Sequence, residues 1–336
     1  MILRALESVF GLYLAGLTLR DVCDTVVVPG GSRGSLKLVR RLAQLTLPLW
    51  KHIRQGAISV NFAPAIMLGA FAGWMLLLIL AFGLMLDGLS EAFSPPLAGF
   101  GAALYAAGSA LATIGVGNGE AHGLARVVLV CAGLCGLAVM TMAITYLLEV
   151  QSNIAQRDNG VLKITTTAGQ PPSALGLLER YAALEIRDDL LDVLRNGRDW
   201  CAGVLQSHAS HPSLIYFRSA GTGSGWPATL GTLVDLSLMI EHLLEAPQLR
   251  GPAVLMREQA ARLAKEVTGL LALAAAEATP TAADVQALCQ RLRSAGYPVR
   301  DAPDCQGFIA ARGRDVGCID ALSDHLGAKP APLLGA

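Results

Sequence analysis

Two long stretches of this sequence carry no charged side chain, and they constrain the fold more than any other feature. Residues 55–86 and 127–148 contain no Asp, Glu, Lys or Arg. A helix needs about 20 apolar residues to cross the hydrocarbon core of a bilayer. Each stretch is therefore predicted to form a transmembrane helix, and the predicted fold class is an all-α membrane protein.

The composition of the whole chain agrees with a membrane location. Of its 336 residues, 53% are hydrophobic and only 15% are charged, which is more apolar than an ordinary soluble protein. The formal net charge is zero, so nothing favours a nucleic-acid partner, and the expected partner is the lipid bilayer. The seven cysteines show neither paired metal-ligand spacing nor a disulfide framework.

The charged residues on either side of the first apolar stretch predict the topology. Those before it are basic: Arg33, Lys37, Arg40, Arg41, Lys51 and Arg54. The connection to the second stretch carries Asp87, Glu91 and Glu120, with no Lys or Arg before Arg126. Because basic residues mark the cytoplasmic side, the first helix runs outward and the second returns. Both termini are then predicted to be cytoplasmic, in a multi-pass protein of the plasma (inner) membrane.

The uncharged segment 92–119 between the two stretches has two interpretations. It is either a third spanning helix or a re-entrant segment, which is allowed at membrane depth only where protein or water satisfies the backbone. Pro95-Pro96 and six glycines weigh against a span, and a span would export the large C-terminal region with its thiols. The prediction is a short helix over 98–112, followed by an extended strip over 113–118.

The strip reads Thr113-Ile114-Gly115-Val116-Gly117-Asn118. Glycines at alternate positions permit backbone angles closed to other residues, so successive carbonyl oxygens can face one axis and replace the water around a cation. The Thr113 hydroxyl adds one more oxygen. Taken alone the motif is weak, because a chain with 36 glycines contains such triplets by chance and a loop with two glycines is the alternative.

The order of outer helix, short helix, T-x-G-x-G strip and inner helix resembles the two-transmembrane potassium channel family of bacterial type. The resemblance covers residues 58–152. It implies passive K⁺ conduction through a homotetramer to which each subunit gives one strip, with no enzymatic activity, K⁺ as permeant ion and no cofactor. The only metal expected is K⁺ at the filter, and its ligands would be the carbonyls of Thr113, Ile114, Gly115, Val116 and Gly117.

Two departures from the family pattern leave the ion preference open. Val116 stands where the family has an aromatic residue, and Asn118 stands where it has an aspartate. Attraction of cations at the outer mouth, next to Asn118, would then depend on Glu120, for which a solvated loop carboxylate is the alternative. The rival functions are a weakly selective cation channel and a non-conducting, channel-like membrane scaffold or signalling protein.

The second apolar stretch contains further candidate residues. Thr141 and Thr145 lie one helical turn apart and are candidates to line the cavity below the filter. Gly133 and Gly136 are candidate gating hinges, and the resemblance implies a hinge at about Gly136. The alternative for both glycines is close helix packing, since small residues are favoured at membrane helix contacts.

The predicted domains follow from these assignments. Residues 1–57 form N-terminal amphipathic, interfacial helices, because Arg20, Asp21 and Asp24 interrupt the apolar run 8–19; whether this region spans or lies on the membrane stays open. Residues 58–152 form the pore domain, with the outer helix 58–86, the pore helix 98–112, the filter 113–118 and the inner helix 124–150. Residues 153–172 form a linker, extended over 161–167, and residues 173–336 an all-helical cytoplasmic domain.

Overall fold

The computed structural model describes residues 2–26, 41–42, 45–46, 62–116, 119–217, 225–276 and 279–335. The chain divides into two compact units. The first consists of Met1–Pro48 and Ala63–Val150, and the second of Leu49–Phe62 and Gln151–Ala336. Within the described residues the chain is mostly helical, as predicted.

Four helices and two very short strands build the first unit and the start of the second. They are α1 (Ile2–Val26), α2 (Phe62–Gly88), β1 (Phe93–Ser94), α3 (Phe100–Leu111), β2 (Glu120–Ala121) and α4 (Leu124–Ala168). Of the described helices, α2 and α4 are long and apolar enough to cross a membrane. Residues 58–61 of the predicted outer helix lie outside the described residues. The strands are an addition to the all-α prediction.

Helix α1 packs antiparallel along α2. Near its N-terminal end, Arg4 Nη1 lies 3.0 Å from Glu91 Oε1, just past the end of α2. About two turns further on, Gly11 faces the carbonyl of Ala81 so closely that a Cβ would stand 2.5 Å from its oxygen. Near the C-terminal end, the indole Nε1 of Trp74 donates to Asp21 Oδ2 at 2.8 Å. Residue numbers therefore increase along α1 as those of the contacting residues on α2 decrease, so the two helices are antiparallel. Most of the predicted interfacial region beyond Val26 lies outside the described residues.

The segment between α2 and α4 begins and ends at the same place in the structure, because its two ends pair with each other. Strands β1 and β2 pair antiparallel, with Phe93 opposite Ala121 and Ser94 opposite Glu120. Between them α3 runs back along α2, where Leu104 lies beside Gly83. Its C-terminal end at Leu111 contacts α4 at Gly136. Because β1 and β2 pair, the two ends of this segment lie side by side, as a re-entrant segment requires, and re-entry itself stays a prediction.

Helix α4 is longer than predicted, and the prediction of an extended linker is wrong. It continues from the first unit into the second and ends only at Ala168, before Gly169 with φ 86°. Val161, Thr165 and Ala168 are buried at helical spacing, so packing in the second unit overrides the low helix propensity of the β-branched run. The Thr165 hydroxyl donates to the Val161 carbonyl at 2.9 Å, which helix geometry permits.

The second unit contains the end of α4 and six further described helices, one of which is buried on all sides. Its helices are α5 (Ala174–Ala183), α6 (Leu190–Ser210), α7 (Gly225–Leu238), α8 (Pro247–Leu271), α9 (Ala282–Ser294) and α10 (Cys305–Leu326). Every residue of α7 from Trp226 to Leu238 is buried, and α6, α8 and α10 pack against it. A helix buried on all sides is the core of its unit.

One charged residue of α7 is buried with its partner. Asp235 accepts two hydrogen bonds from Arg312 of α10, at 2.7 Å from Nε and 3.1 Å from Nη2. This bidentate geometry compensates each charge for the loss of water. Burial still raises the pKa of Asp235, and Arg312 opposes that rise.

Candidate functional site

Helix α3 ends in a cap that sets the direction of the strip. The N–H of Thr113 donates to the Ala110 carbonyl at 3.0 Å, and the N–H of Ile114 donates to the Ser109 carbonyl at 2.9 Å. This pair of bonds satisfies the last carbonyls of a helix and normally places glycine, with positive φ, at the position that Thr113 occupies. Thr113 adopts φ 57°. A left-handed conformation costs an L-residue roughly 1–2 kcal/mol, and such strain is concentrated at functional sites.

Gly115 repeats the positive φ two residues later. Its φ is 75°, whereas Ile114 between them and Val116 after it are not in the left-handed region. A Cβ built on Gly115 would meet nothing within 4 Å. The requirement for glycine here is therefore conformational and not steric. Positive φ at alternate positions distinguishes this strip from an ordinary β-strand, in which successive carbonyls point to opposite sides.

Ser109 fastens the strip to α3. Its hydroxyl accepts from the N–H of Val116 at 2.8 Å, and its carbonyl accepts from Gly115 at 3.4 Å as well as from Ile114. Ser109 is buried. It is not among the residues predicted from the sequence. The available signal is that it is the one serine or threonine in the apolar helix Phe100–Leu111.

The strip is exposed along its described length. All residues from Ala112 to Val116 are exposed, including the apolar side chains of Ile114 at 67% and Val116 at 51%. The predicted filter residue Gly117 and the outer-mouth residue Asn118 lie outside the described residues. Glu120 is exposed in β2, where the segment returns. In one isolated chain, nothing covers the described strip.

Thr141 and Thr145 share an exposed face of α4. Their hydroxyls donate to the carbonyls four residues earlier, to Leu137 at 2.8 Å and to Thr141 at 3.0 Å. A hydroxyl that donates along its own helix keeps lone pairs that can accept or coordinate. The two side chains are thus placed as a pair of oxygen-bearing groups one turn apart.

The two candidate hinge glycines have different surroundings. A Cβ on Gly136 would overlap the carbonyl of Leu111 at the end of α3, whereas on Gly133 the nearest atom, the Ala110 oxygen, would be 3.5 Å away. Gly136 is therefore required for close packing of α3 on α4. A hinge at Gly136 or Gly133 stays a prediction.

These features define a membrane protein in which a short capped helix and an exposed strip lie between two helices long enough to span. Residues 74–153 match the model of a family described as ion channel. The matched range contains α3, the strip, most of α2 and more than half of α4. The match supports an ion channel in this part of the chain. No curated protein and no solved structure matches the chain.

Proposed function

We propose that this protein is a potassium-selective channel, in which four subunits surround one pore and conduct K⁺ passively. The observation that carries the proposal is the positive φ at alternate residues, Thr113 and Gly115, in a strip anchored by Ser109. Alternate backbone handedness turns successive carbonyls toward one side, which is what dehydrated K⁺ needs. The described part of the filter is then Thr113 to Val116, and Gly117 extends it.

The surroundings of the strip also suit a cation. The C-terminal end of α3 carries a partial negative charge and lies directly before Thr113, at the inner end of the proposed filter. The hydroxyls of Thr141 and Thr145 line the cavity in this proposal. At the outer end, Glu120 attracts cations, and the connection between the two spans is acidic. The basic residues before α2 favour a cytoplasmic location for the second unit.

The decisive test measures ion flux with the purified full-length protein in liposomes. We expect K⁺ flux that Na⁺ does not replace. Gly115→Ala should reduce it about tenfold or more, because φ 75° costs an L-residue roughly 1–2 kcal/mol and the strip must change shape. Gly101→Ala is the matched control, since a Cβ on Gly101 also meets nothing within 4 Å and its φ is not positive.

Each outcome decides between the proposal and its rivals. Equal K⁺ and Na⁺ flux would favour the weakly selective cation channel, for which the small side chain at Val116 is the reason. Absence of flux under every condition, in protein that is folded and inserted, would favour a non-conducting scaffold. Equal loss of flux in Gly101→Ala and Gly115→Ala would contradict the argument that the backbone conformation of Gly115 is what conduction needs.

A further inference from the structure

Helix α1 presents an apolar surface on the side that faces away from α2. Its exposed large side chains are Ile2, Leu6, Val9, Phe10, Leu12 and Tyr13. We propose that α1, although its uncharged run 8–19 is shorter than those of α2 and α4, is a third membrane-spanning helix whose exposed face contacts lipid acyl chains and whose N-terminus lies on the outer side. The direction of α1 rests on the orientation of α2 in the proposed function; the span itself does not.

The register between α1 and α2 places α1 at membrane depth. Contacts with α2 and its end run from Arg4, beside Glu91, to Asp21, beside Trp74. At 1.5 Å per residue, a helix of 25 residues is roughly 37 Å long. The hydrocarbon core of a bilayer is about 30 Å thick. The contacts from Arg4 to Asp21 cover 17 residues, roughly 26 Å, and five further residues of α1 follow to Val26. If α2 spans, then α1, which packs antiparallel along it over most of the core thickness, spans too.

The exposed face of α1 does not suit a helix lying on the membrane surface. Such a helix needs a strongly charged face opposite its apolar face. In α1 the opposite face is packed inside the structure, and its buried residues are Gly11, Ala15, Thr18, Asp21 and Val22. Between Ala5 and Gly16 the one charged side chain is Glu7, which is half-buried in the second turn. Lipid chains are the environment that covers such a face without cost.

The charged residues of α1 lie within its first two turns, where Arg4 and Glu7 stand, or its last two turns, where Arg20, Asp21 and Asp24 stand. Arg4 pairs with Glu91 at the outer end, and Arg20 Nε lies 3.6 Å from Asp24 Oδ2 at the other end. Asp21 is buried, and its carboxylate accepts the Trp74 indole N–H. An ionisable side chain in a membrane helix is tolerated when it turns inward to a partner in this way.

The charge distribution agrees with an outer N-terminus. Six basic residues lie in the connection between α1 and α2, namely Arg33, Lys37, Arg40, Arg41, Lys51 and Arg54. Before α1 reaches Arg20, it carries only Arg4 as a basic side chain. Basic residues near spans remain on the cytoplasmic side. In this proposal the connection is cytoplasmic, and the N-terminus lies opposite the C-terminus.

The test uses the full-length chain with a short epitope tag at the N-terminus or at the C-terminus. It is expressed in cells in which antibody can reach the outer face of the plasma membrane. We expect the N-terminal tag to be labelled on intact cells and the C-terminal tag only after permeabilisation. Two tags on the same side would overturn the third span. An external C-terminal tag with an internal N-terminal tag would leave the span intact but contradict the proposed orientation of the pore, so the two failures are distinguishable.

A second measurement tests the lipid contact. A photo-crosslinking phenylalanine analogue replaces exposed Phe10 in one sample and buried Ala15 in another, as control. We expect Phe10 adducts with the mass of membrane lipid and Ala15 adducts within the chain. Crosslinked dimers from the Phe10 position would show a second copy on this face and overturn the assignment to lipid.

Discussion

At the scale of single residues, the site depends on one hydroxyl that lies outside the strip. Ser109 provides the oxygen that holds the N–H of Val116 at 2.8 Å. In the family that the pore region resembles, an aromatic side chain supports the strip at the position of Val116. A valine fills less space, so the hydrogen bond from the helix carries more of the positioning here.

Ser109→Ala tests this role. The change removes one hydrogen bond, worth about 1 kcal/mol, and leaves the N–H of Val116 without that acceptor. We expect the ratio of K⁺ to Na⁺ flux to fall several-fold while some conduction persists. Ser109→Thr retains the hydroxyl and serves as the control. An unchanged ion ratio in Ser109→Ala would show that the strip keeps its width by other contacts.

At the scale of helices, the contact between α3 and α4 depends on Gly136. A side chain there would overlap the Leu111 carbonyl, one residue before the end-cap that shapes the strip. Overpacking of this kind typically costs about 1–3 kcal/mol. The contact links the packing of a long helix to the conformation of Thr113.

Gly136→Ala should therefore lower both thermal stability in detergent and flux, whereas Gly133→Ala should change stability little, because its Cβ has 3.5 Å to the nearest oxygen. Thermal unfolding and liposome flux on the same preparations make the comparison. If Gly136→Ala were as stable as wild type and altered only the open probability, a hinge would explain Gly136 better than packing does.

How far the sequence predicts these elements depends on whether their cause is local. The uncharged runs predict α2 and the first part of α4, since bilayer thickness alone sets the length of such helices. The helical end of α4 is not predictable in this way, because Val161 and Thr165 become helical only through burial in the second unit. The sequence alone also makes Asp21 an interruption of the apolar run 8–19, because the partner that satisfies its carboxylate, Trp74, is 53 residues away.

The second unit contains a carboxylate that should make its stability depend on pH. Partial burial of Asp320 in α10 raises its pKa to about 6. Asp235 and Asp324 add to the rise, and Arg312 opposes it. Between the ordinary value of 3.8 and about 6, the folded state holds a proton that the unfolded state has lost. Stability from this group is thus present at low pH and is lost as pH rises through 6.

Asp320→Asn should remove that dependence. We expect the melting temperature of the variant, relative to wild type, to increase as pH rises from about 4 to 7, because asparagine does not ionise. Asp192→Asn, at an exposed position of α6, is the control for losing one surface charge. A constant difference between wild type and Asp320→Asn across this range would contradict the assignment.

At the scale of the whole molecule, the proposed filter requires other subunits. Ile114 is 67% exposed although it is apolar, and one chain supplies carbonyls to only one side of a cation. A filter that replaces the hydration shell of K⁺ must surround it. The family that the strip resembles meets this need with four copies, and the single strip in this sequence implies the same number.

Native mass spectrometry from detergent micelles counts the subunits directly. We expect a mass of four times the 35.1 kDa chain, and we expect Gly115→Ala to keep it, because that change alters backbone conformation in the strip without filling a contact. If Gly115→Ala forms a tetramer that does not conduct, the substitution has disrupted the filter and not the assembly of subunits. A stable monomer or dimer, in protein that still conducts, would require the ion to pass by a route other than a shared ring of Thr113 to Gly117 carbonyls.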